Sequence, residues 1–182
     1  MTTNKKPAPH LKEEFFTHHL PHEIEMLRAT YELARAARPP AEHEALAESF
    51  LLHARNLIEF FQDRPTCDFD PRMFTAGSYQ LNRDFAEGTL PRINRQIGHL
   101  TVKRTIQEAD RLGPRDWALI LRALEEEIAR FTKALRKDYA EKWAPPPQPK
   151  AETPEPVADS NPSSFVLRRA NLTAAPKLQD AS

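Results

Sequence analysis

The sequence predicts an all-α fold, an antiparallel four-helix bundle followed by a disordered Pro-rich C-terminal tail. Three observations predict it. Apolar residues recur at spacings of three and four along four separate stretches. Glycine numbers only 4 in 182 residues, too few for the turns of a sheet-rich fold, and Gly77, Gly88 and Gly113 fall between those stretches. From Ala144 onward the chain carries 8 of its 17 prolines and few aromatic residues, a composition that buries too little apolar surface to offset its ordering entropy.

The first helix is expected from about Leu20 to Ala37, with Pro21 in its first turn. Leu20, Ile24, Leu27, Tyr31 and Ala34 make one stripe, and Arg38-Pro39-Pro40 ends it. The second runs from about Ala41 to Gln62. Leu46, Phe50, Ala54, Leu57 and Phe61 share its inner face, widened by Leu51, Ile58 and Phe60. The third runs from about Leu90 to Arg111, with Thr89 as N-cap, Pro91 in the first turn and Ile93, Ile97 and Leu100 facing inward. Gly113-Pro114 punctuates. The fourth runs from about Arg115 to Lys142, with Trp117, Ile120, Leu121, Leu124, Ile128, Phe131 and Leu135 as its seam. Short connections make antiparallel neighbours of such helices. The exception is Asp63 to Gly88, too long to be an idle loop. Its Phe69, Phe74, Tyr79, Leu81 and Phe85 are expected to cover the end of the bundle, with a short helix near Tyr79 to Phe85.

Three segments result: a flexible N-terminus over residues 1–10, a helical bundle over 11–143 and the tail over 144–182. Within the tail, Ser164-Phe165-Val166-Leu167-Arg168-Arg169 sets apolar residues beside two arginines, the form of a short docking peptide for a protein partner, in a segment that otherwise reads as solvated. Met1 to His10 is polar and lacks an apolar core, so no secretory signal is expected there, and no apolar run approaches the length of a membrane span. Cys67 is the only cysteine, so no intramolecular disulfide can form, which fits a reducing, cytoplasmic setting.

Lys plus Arg and Asp plus Glu both number 26. Zero net charge argues against holding nucleic acid by bulk attraction alone, and leaves room for a local basic strip. The third helix supplies one. At about 100° per residue, Arg92 and His99 differ by only about 20°, and Arg95 lies about 40° further round. Gln96 and Lys103 share the strip. Guanidinium groups bind phosphate oxygens and stabilise charge developing on phosphorus, and an imidazole moves protons near neutral pH. Cleavage of RNA through its own 2′-hydroxyl needs a base on one side and an acid on the other. A two-fold homodimer would supply the second imidazole, and Val102 and Ile106 beside the strip suit such an interface. A solvated basic face with a partly buried histidine has the same periodicity.

Two other polar groups stand out. In the second helix His53 falls inside the apolar arc, the position of a hydrogen-bonded core histidine, with Arg55 and Asn56 on opposite flanks and Arg55 in reach of Glu48, Glu59 or a carbonyl. Near the N-terminus are His10, His18, His19 and His22. His18 and His22 have the spacing of two metal ligands on one helical turn, but the Pro21 ring clashes with the carbonyl four residues earlier, and no cysteine or second ligand cluster adjoins. These histidines read as a solvated helix start. No metal and no other cofactor is predicted.

Two stretches resemble the HEPN superfamily (higher eukaryotes and prokaryotes nucleotide-binding), in particular bacterial members of the abortive-infection type. One is Glu48-Ser49-Phe50-Leu51-Leu52-His53-Ala54-Arg55-Asn56-Leu57-Ile58-Glu59-Phe60-Phe61; the other is Arg92-Ile93-Asn94-Arg95-Gln96-Ile97-Gly98-His99-Leu100-Thr101. The resemblance spans roughly Leu20 to Tyr139 in helix order. It implies a dimeric helical bundle and, as in many members, a metal-independent ribonuclease. The family signature is an arginine followed after four to six residues by a histidine, which Arg92 and His99 match. By that resemblance Arg92 would contact the scissile phosphate and His99 would transfer a proton. The polar residue that usually follows the arginine is Ile93 here, with Asn94 one later.

The leading expectation is therefore a HEPN-like ribonuclease in phage defence or a toxin–antitoxin pair. Its catalytic residues would be Arg92 and His99, and its RNA-binding residues Arg95, Gln96, Lys103, Arg55 and Asn56. The alternative is a non-catalytic, dimeric helical interaction module whose tail recruits a partner. A third reading keeps the basic strip as an RNA or nucleotide binder without turnover.

Overall fold

The computed structural model describes residues 7–36, 39–62, 68–77, 79–82, 86, 88–98 and 111–144. It is all-α: 76% of the described residues are helical and none is in a strand. The helices are α1 (Pro9–Glu14), α2 (Leu20–Arg35), α3 (Pro40–Phe61), α4 (Thr89–Ile93), α5 (Pro114–Ala134) and α6 (Lys137–Ala140). A 3-10 turn occupies Pro71–Met73, and π turns occupy Phe15–His19 and Asn94–Gly98.

The helix expected to begin at Leu20 begins much earlier. Glu14, Phe15, His19 and Leu20 all keep right-handed helical angles, so α1, the first π turn and α2 form one continuous rod. Pro21 has no N–H, and its ring would press on the Thr17 carbonyl of an α-helix. The π turn lies over that carbonyl and takes in one extra residue there. His10, His18, His19 and His22 are thus on an exposed helix face.

Core formation follows the predicted stripes. Leu20, Ile24, Leu27, Tyr31 and Ala34 of α2 are buried against Ala47, Phe50, Leu51, Ala54, Leu57, Ile58 and Phe61 of α3. The two rods are antiparallel: the Ala34 carbonyl meets His43 Nδ1 at 3.0 Å, Tyr31 packs on Phe50, and Phe15 packs on Phe60. The His43 contact also satisfies a carbonyl of the last turn of α2, which the helix itself leaves open. Helix α5 lies along both rods and runs parallel to α3, with Trp117 against Phe50 and Phe131 against Phe60 and Phe61. Its Glu125 takes both arms of Arg28 from α2, at 2.6 and 2.8 Å. Such bidentate geometry is the strong form of a charge-assisted hydrogen bond.

The long connection does close one end of the core. Phe74 is wholly buried against Phe16 and Tyr139, Phe69 stacks on Phe15 at 4.0 Å, and Tyr79 is buried against Phe131. Residues 79–82 are not helical, and Phe85 lies outside the described residues. The same connection interrupts the fourth helix, which ends at Ala134 instead of running to Lys142. Ala76 N–H donates to the Ala134 carbonyl at 2.8 Å and Arg136 N–H to the Phe74 carbonyl at 3.1 Å, so Leu135 turns extended and pairs with Thr75. Capture of a carbonyl at the helix end by an outside donor removes the reason to continue the helix. Among the described residues no helix is long and apolar enough to cross a membrane.

Candidate functional site

Helix α4 opens on Gly88, whose φ of +73° is left-handed backbone that glycine adopts without cost. Gly88, not Thr89, is therefore the N-cap residue. Ile93 points inward and is fully buried. That orientation leaves Arg92 half-exposed and directs it to the first turn of α5, where its Nη1 donates to Asp116 Oδ1 at 2.9 Å. The other carboxylate oxygen of Asp116 accepts from Gly113 N–H at 3.0 Å. This is the backbone half of a capping box, and Gly113 has no side chain to complete it. Burial alone would raise the Asp116 carboxyl, but the Gly113 N–H and the Arg92 guanidinium outweigh it and hold its pKa below the ordinary value.

One turn on, Gln96 Oε1 accepts from Leu112 N–H at 2.8 Å, while Trp117 Nε1 donates to the Leu112 carbonyl at 2.9 Å. Leu112 is thus held on both sides, and α5 starts at a fixed place beside α4. A cleft of about 190 Å³ opens there, lined by His43, Glu44, Gln96, Arg111 and Trp117 among others. Arg111 pairs with Glu44 at 2.8 Å across its rim. His43 donates through Nδ1 to the Ala34 carbonyl.

No family model, curated protein or solved structure matches the chain.

The predicted site residues fall into separate places. Arg92 and Gln96 meet at the start of α5. Arg95 is exposed and has no partner among the described residues. His99 and Lys103 lie outside the described residues, as do Val102 and Ile106. The expected 20° alignment of Arg92 with His99 assumed α winding throughout. Asn94–Gly98 instead form a π turn. Such a turn holds one more residue than an α turn, so the winding differs over Asn94–Gly98, and where His99 stands relative to Arg92 lies outside the described residues. Asn94, inside this turn, keeps a buried Oδ1 without a hydrogen-bond partner among the described residues, the kind of orphaned group that native folds keep rare.

Arg55 and Asn56 are elsewhere. Arg55 pairs with Glu59 at 3.1 Å, one of the partners its position predicts. Asn56 Nδ2 and His53 Nδ1 both reach Glu23 Oε2, at 3.2 and 2.8 Å. Glu23 thereby ties α2 to α3. Its burial would raise its pKa, but hydrogen bonds from His53 and Asn56, with the His53 charge, hold the pKa below the ordinary glutamate value. His53 is the hydrogen-bonded, mostly buried histidine that the apolar arc implies. Among the described residues no group of three His, Cys, Asp or Glu side chains could hold a metal ion.

Sequence reasoning passed over Asp116, Glu23, His43 and Arg111. Asp116 carried a signal, an acidic residue three positions after Gly113 and two after Pro114 at a helix start. Glu23 carried none, because its partners are 30 and 33 residues away.

Proposed function

We propose that the chain is a HEPN-like, metal-independent endoribonuclease, an antiparallel four-helix bundle whose RNA-binding face is centred on α4 and the π turn after it. The observation that carries the reading is that Arg92 bonds Asp116 in the first turn of α5 and Gln96 bonds Leu112 just before that helix, beside a cleft rimmed by His43 and Arg111. Arg95, one turn from Arg92, adds an exposed guanidinium. Two arginines on successive turns bind adjacent phosphates, and their fixed charge stabilises the transition state as charge builds on phosphorus.

In this reading RNA phosphate competes with Asp116 for Arg92. The 2′-hydroxyl attacks the neighbouring phosphorus and the P–O5′ bond breaks, leaving a 2′,3′-cyclic phosphate and a 5′-hydroxyl. One imidazole takes the 2′ proton and another gives a proton to the departing oxygen, with His99 in one of these roles. A second copy of the chain supplies the second imidazole. The protein acts in the cytoplasm, in phage defence or a toxin–antitoxin pair, and the Pro-rich tail recruits a protein partner through Phe165 to Arg169, which lie outside the described residues. The test is cleavage of an RNA oligonucleotide and of the same oligonucleotide with 2′-deoxyribose throughout. Cleavage of the RNA alone, lost in His99→Ala protein of unchanged helicity, is the expected result. Equal cleavage by His99→Ala protein overturns the site.

A second reading has an observation of its own. Arg92, Gln96, Arg55 and Asn56 are all bonded within the fold, as the polar residues of a non-catalytic, dimeric interaction module would be. That reading predicts no RNA cleavage, and partner capture that fails when the tail is deleted.

A further inference from the structure

The far end of the molecule holds a second cationic site that the α4 reading does not use. Lys12 from α1, Arg72 from the 3-10 turn and Arg136 from the joint between α5 and α6 converge on a cleft of about 380 Å³, completed by Pro7, Asp70 and Met73. Helix α5 puts roughly 27 Å between Asp116 and Ala134, so the two sites are separate.

Three cations from distant parts of the sequence face one carboxylate here, and the fold fixes two of them. Arg72 Nε lies 2.9 and 2.7 Å from the two oxygens of Asp70, which also accepts from Arg72 N–H at 2.8 Å and so caps the 3-10 turn. Arg136 Cζ sits over the Tyr139 ring, 5.0 Å from its centroid. Its backbone N–H is tied to Phe74, and its two contacts with Asp138, at 3.4 and 3.5 Å, are at the long limit of a hydrogen bond. The Lys12 ammonium has no partner among the described residues. Like charges brought together repel, at a cost that an anion between them reverses. The lining of the cleft holds three cations and one carboxylate, with Asp138 outside it in long contact with Arg136. This positive balance suits a phosphomonoester, which is close to a dianion near neutral pH. Met73 and Pro7 give the cleft an apolar wall for the group that carries the phosphate.

We propose that this cleft is a phosphate-binding site for a phosphomonoester, in which Lys12 and Arg136 supply the donors and Asp70 holds Arg72 in place. The phosphate belongs either to a mononucleotide or to the 5′ end of an RNA strand.

Calorimetric titration of the full chain at low salt and about pH 7.5 tests it, with inorganic phosphate, adenosine 5′-monophosphate, adenosine, and 5′-phosphoryl and 5′-hydroxyl forms of one RNA oligonucleotide. Saturable binding of the monophosphate is expected, with none of adenosine. The Lys12→Gln/Arg136→Gln double variant should bind about tenfold more weakly or worse, at unchanged helicity. A preference for 5′-phosphoryl RNA over the 5′-hydroxyl form identifies the strand end as the source; binding of the mononucleotide alone identifies the small ligand. The proposal is overturned by no saturation up to about 10 mM, by equal binding of adenosine, or by a double variant that binds like the parent. This test reads mononucleotide binding through Lys12 and Arg136, whereas the α4 reading is tested by RNA cleavage, so failure here leaves the α4 reading standing, and the reverse also holds.

Discussion

Arg92 and Asp116 are joined by a 2.9 Å hydrogen bond that does two jobs at once. It anchors α4 to the start of α5, and it occupies a guanidinium that phosphate would have to win. The carboxylate is held in place by Gly113 N–H, so Arg92 can leave while Asp116 stays. Substituting Asp116→Asn removes the competing charge and keeps the cap. RNA retention by the Asn variant should rise several-fold at low salt, and Arg92→Ala should lower it and flatten its salt dependence. Filter binding across a salt series reads both. Weaker binding by the Asn variant would assign Arg92 to structure alone.

The link between α2 and α3 predicts a stability effect. Glu23 accepts from both His53 and Asn56. Removing it leaves two partly buried donors unmatched, and Glu23→Ala should cost about 1–3 kcal/mol in denaturant unfolding. A Glu23/His53 double-mutant cycle should give less than the sum of the single losses, because the two residues share one bond.

The same carboxylate sets a pH dependence. Its folded pKa lies below the unfolded one, so the native state favours the charged form. That stabilisation is present above the unfolded value and is lost as pH falls through the folded value. Asp116 acts in the same direction. Thermal midpoints should fall steeply on acidification below the ordinary carboxylate range, and the Glu23→Gln, Asp116→Asn double variant should show a shallower fall. Parallel curves would remove both groups from the acid transition.

Tyr79 makes the reverse prediction. Its hydroxyl donates to Glu127 Oε1 at 2.6 Å, and Glu127, itself buried, also pairs with Arg130. Burial, and then the Glu127 carboxylate, push the phenol pKa far above its usual value. Its stabilising effect is complete below the ordinary tyrosine pKa and fades as pH rises above it. Tyr79→Phe should cost about 1–3 kcal/mol near neutral pH, yet leave the native spectrophotometric titration of tyrosine unchanged. A lost titration step in the Phe variant would contradict the buried bond.

The apolar stripes made the fold legible, but only where helix periodicity alone decides. Leu20, Ile24, Leu27, Tyr31 and Ala34 are all buried as spaced, and so are Trp117, Ile120, Leu124, Ile128 and Phe131. Three features were not legible. The π turn at Phe15–His19 arises from Pro21 inside a helix that continues on both sides, whereas a proline reads from sequence as a first-turn residue. The break at Leu135 depends on Thr75 and Ala76, sixty residues away. The π turn at Asn94–Gly98 alters the winding on which the Arg92–His99 alignment was reckoned. Within the candidate site, Arg92 and Arg95 were recognisable as basic residues on one rod. The Asp116 carboxylate that meets Arg92 was not, since a 24-residue separation encodes no contact.

The central claim is that Arg92 and His99 cleave RNA without a metal ion. Single-turnover cleavage of labelled RNA in excess EDTA tests it directly, comparing the parent chain with Arg92→Ala and His99→Ala proteins of matched helicity. The parent is expected to cleave, and loss of the proton-transferring imidazole to lower the rate by about 10²–10⁴-fold, with a large loss for Arg92→Ala as well. A parent chain that leaves the RNA intact, or a His99→Ala protein that cleaves as fast, would contradict it.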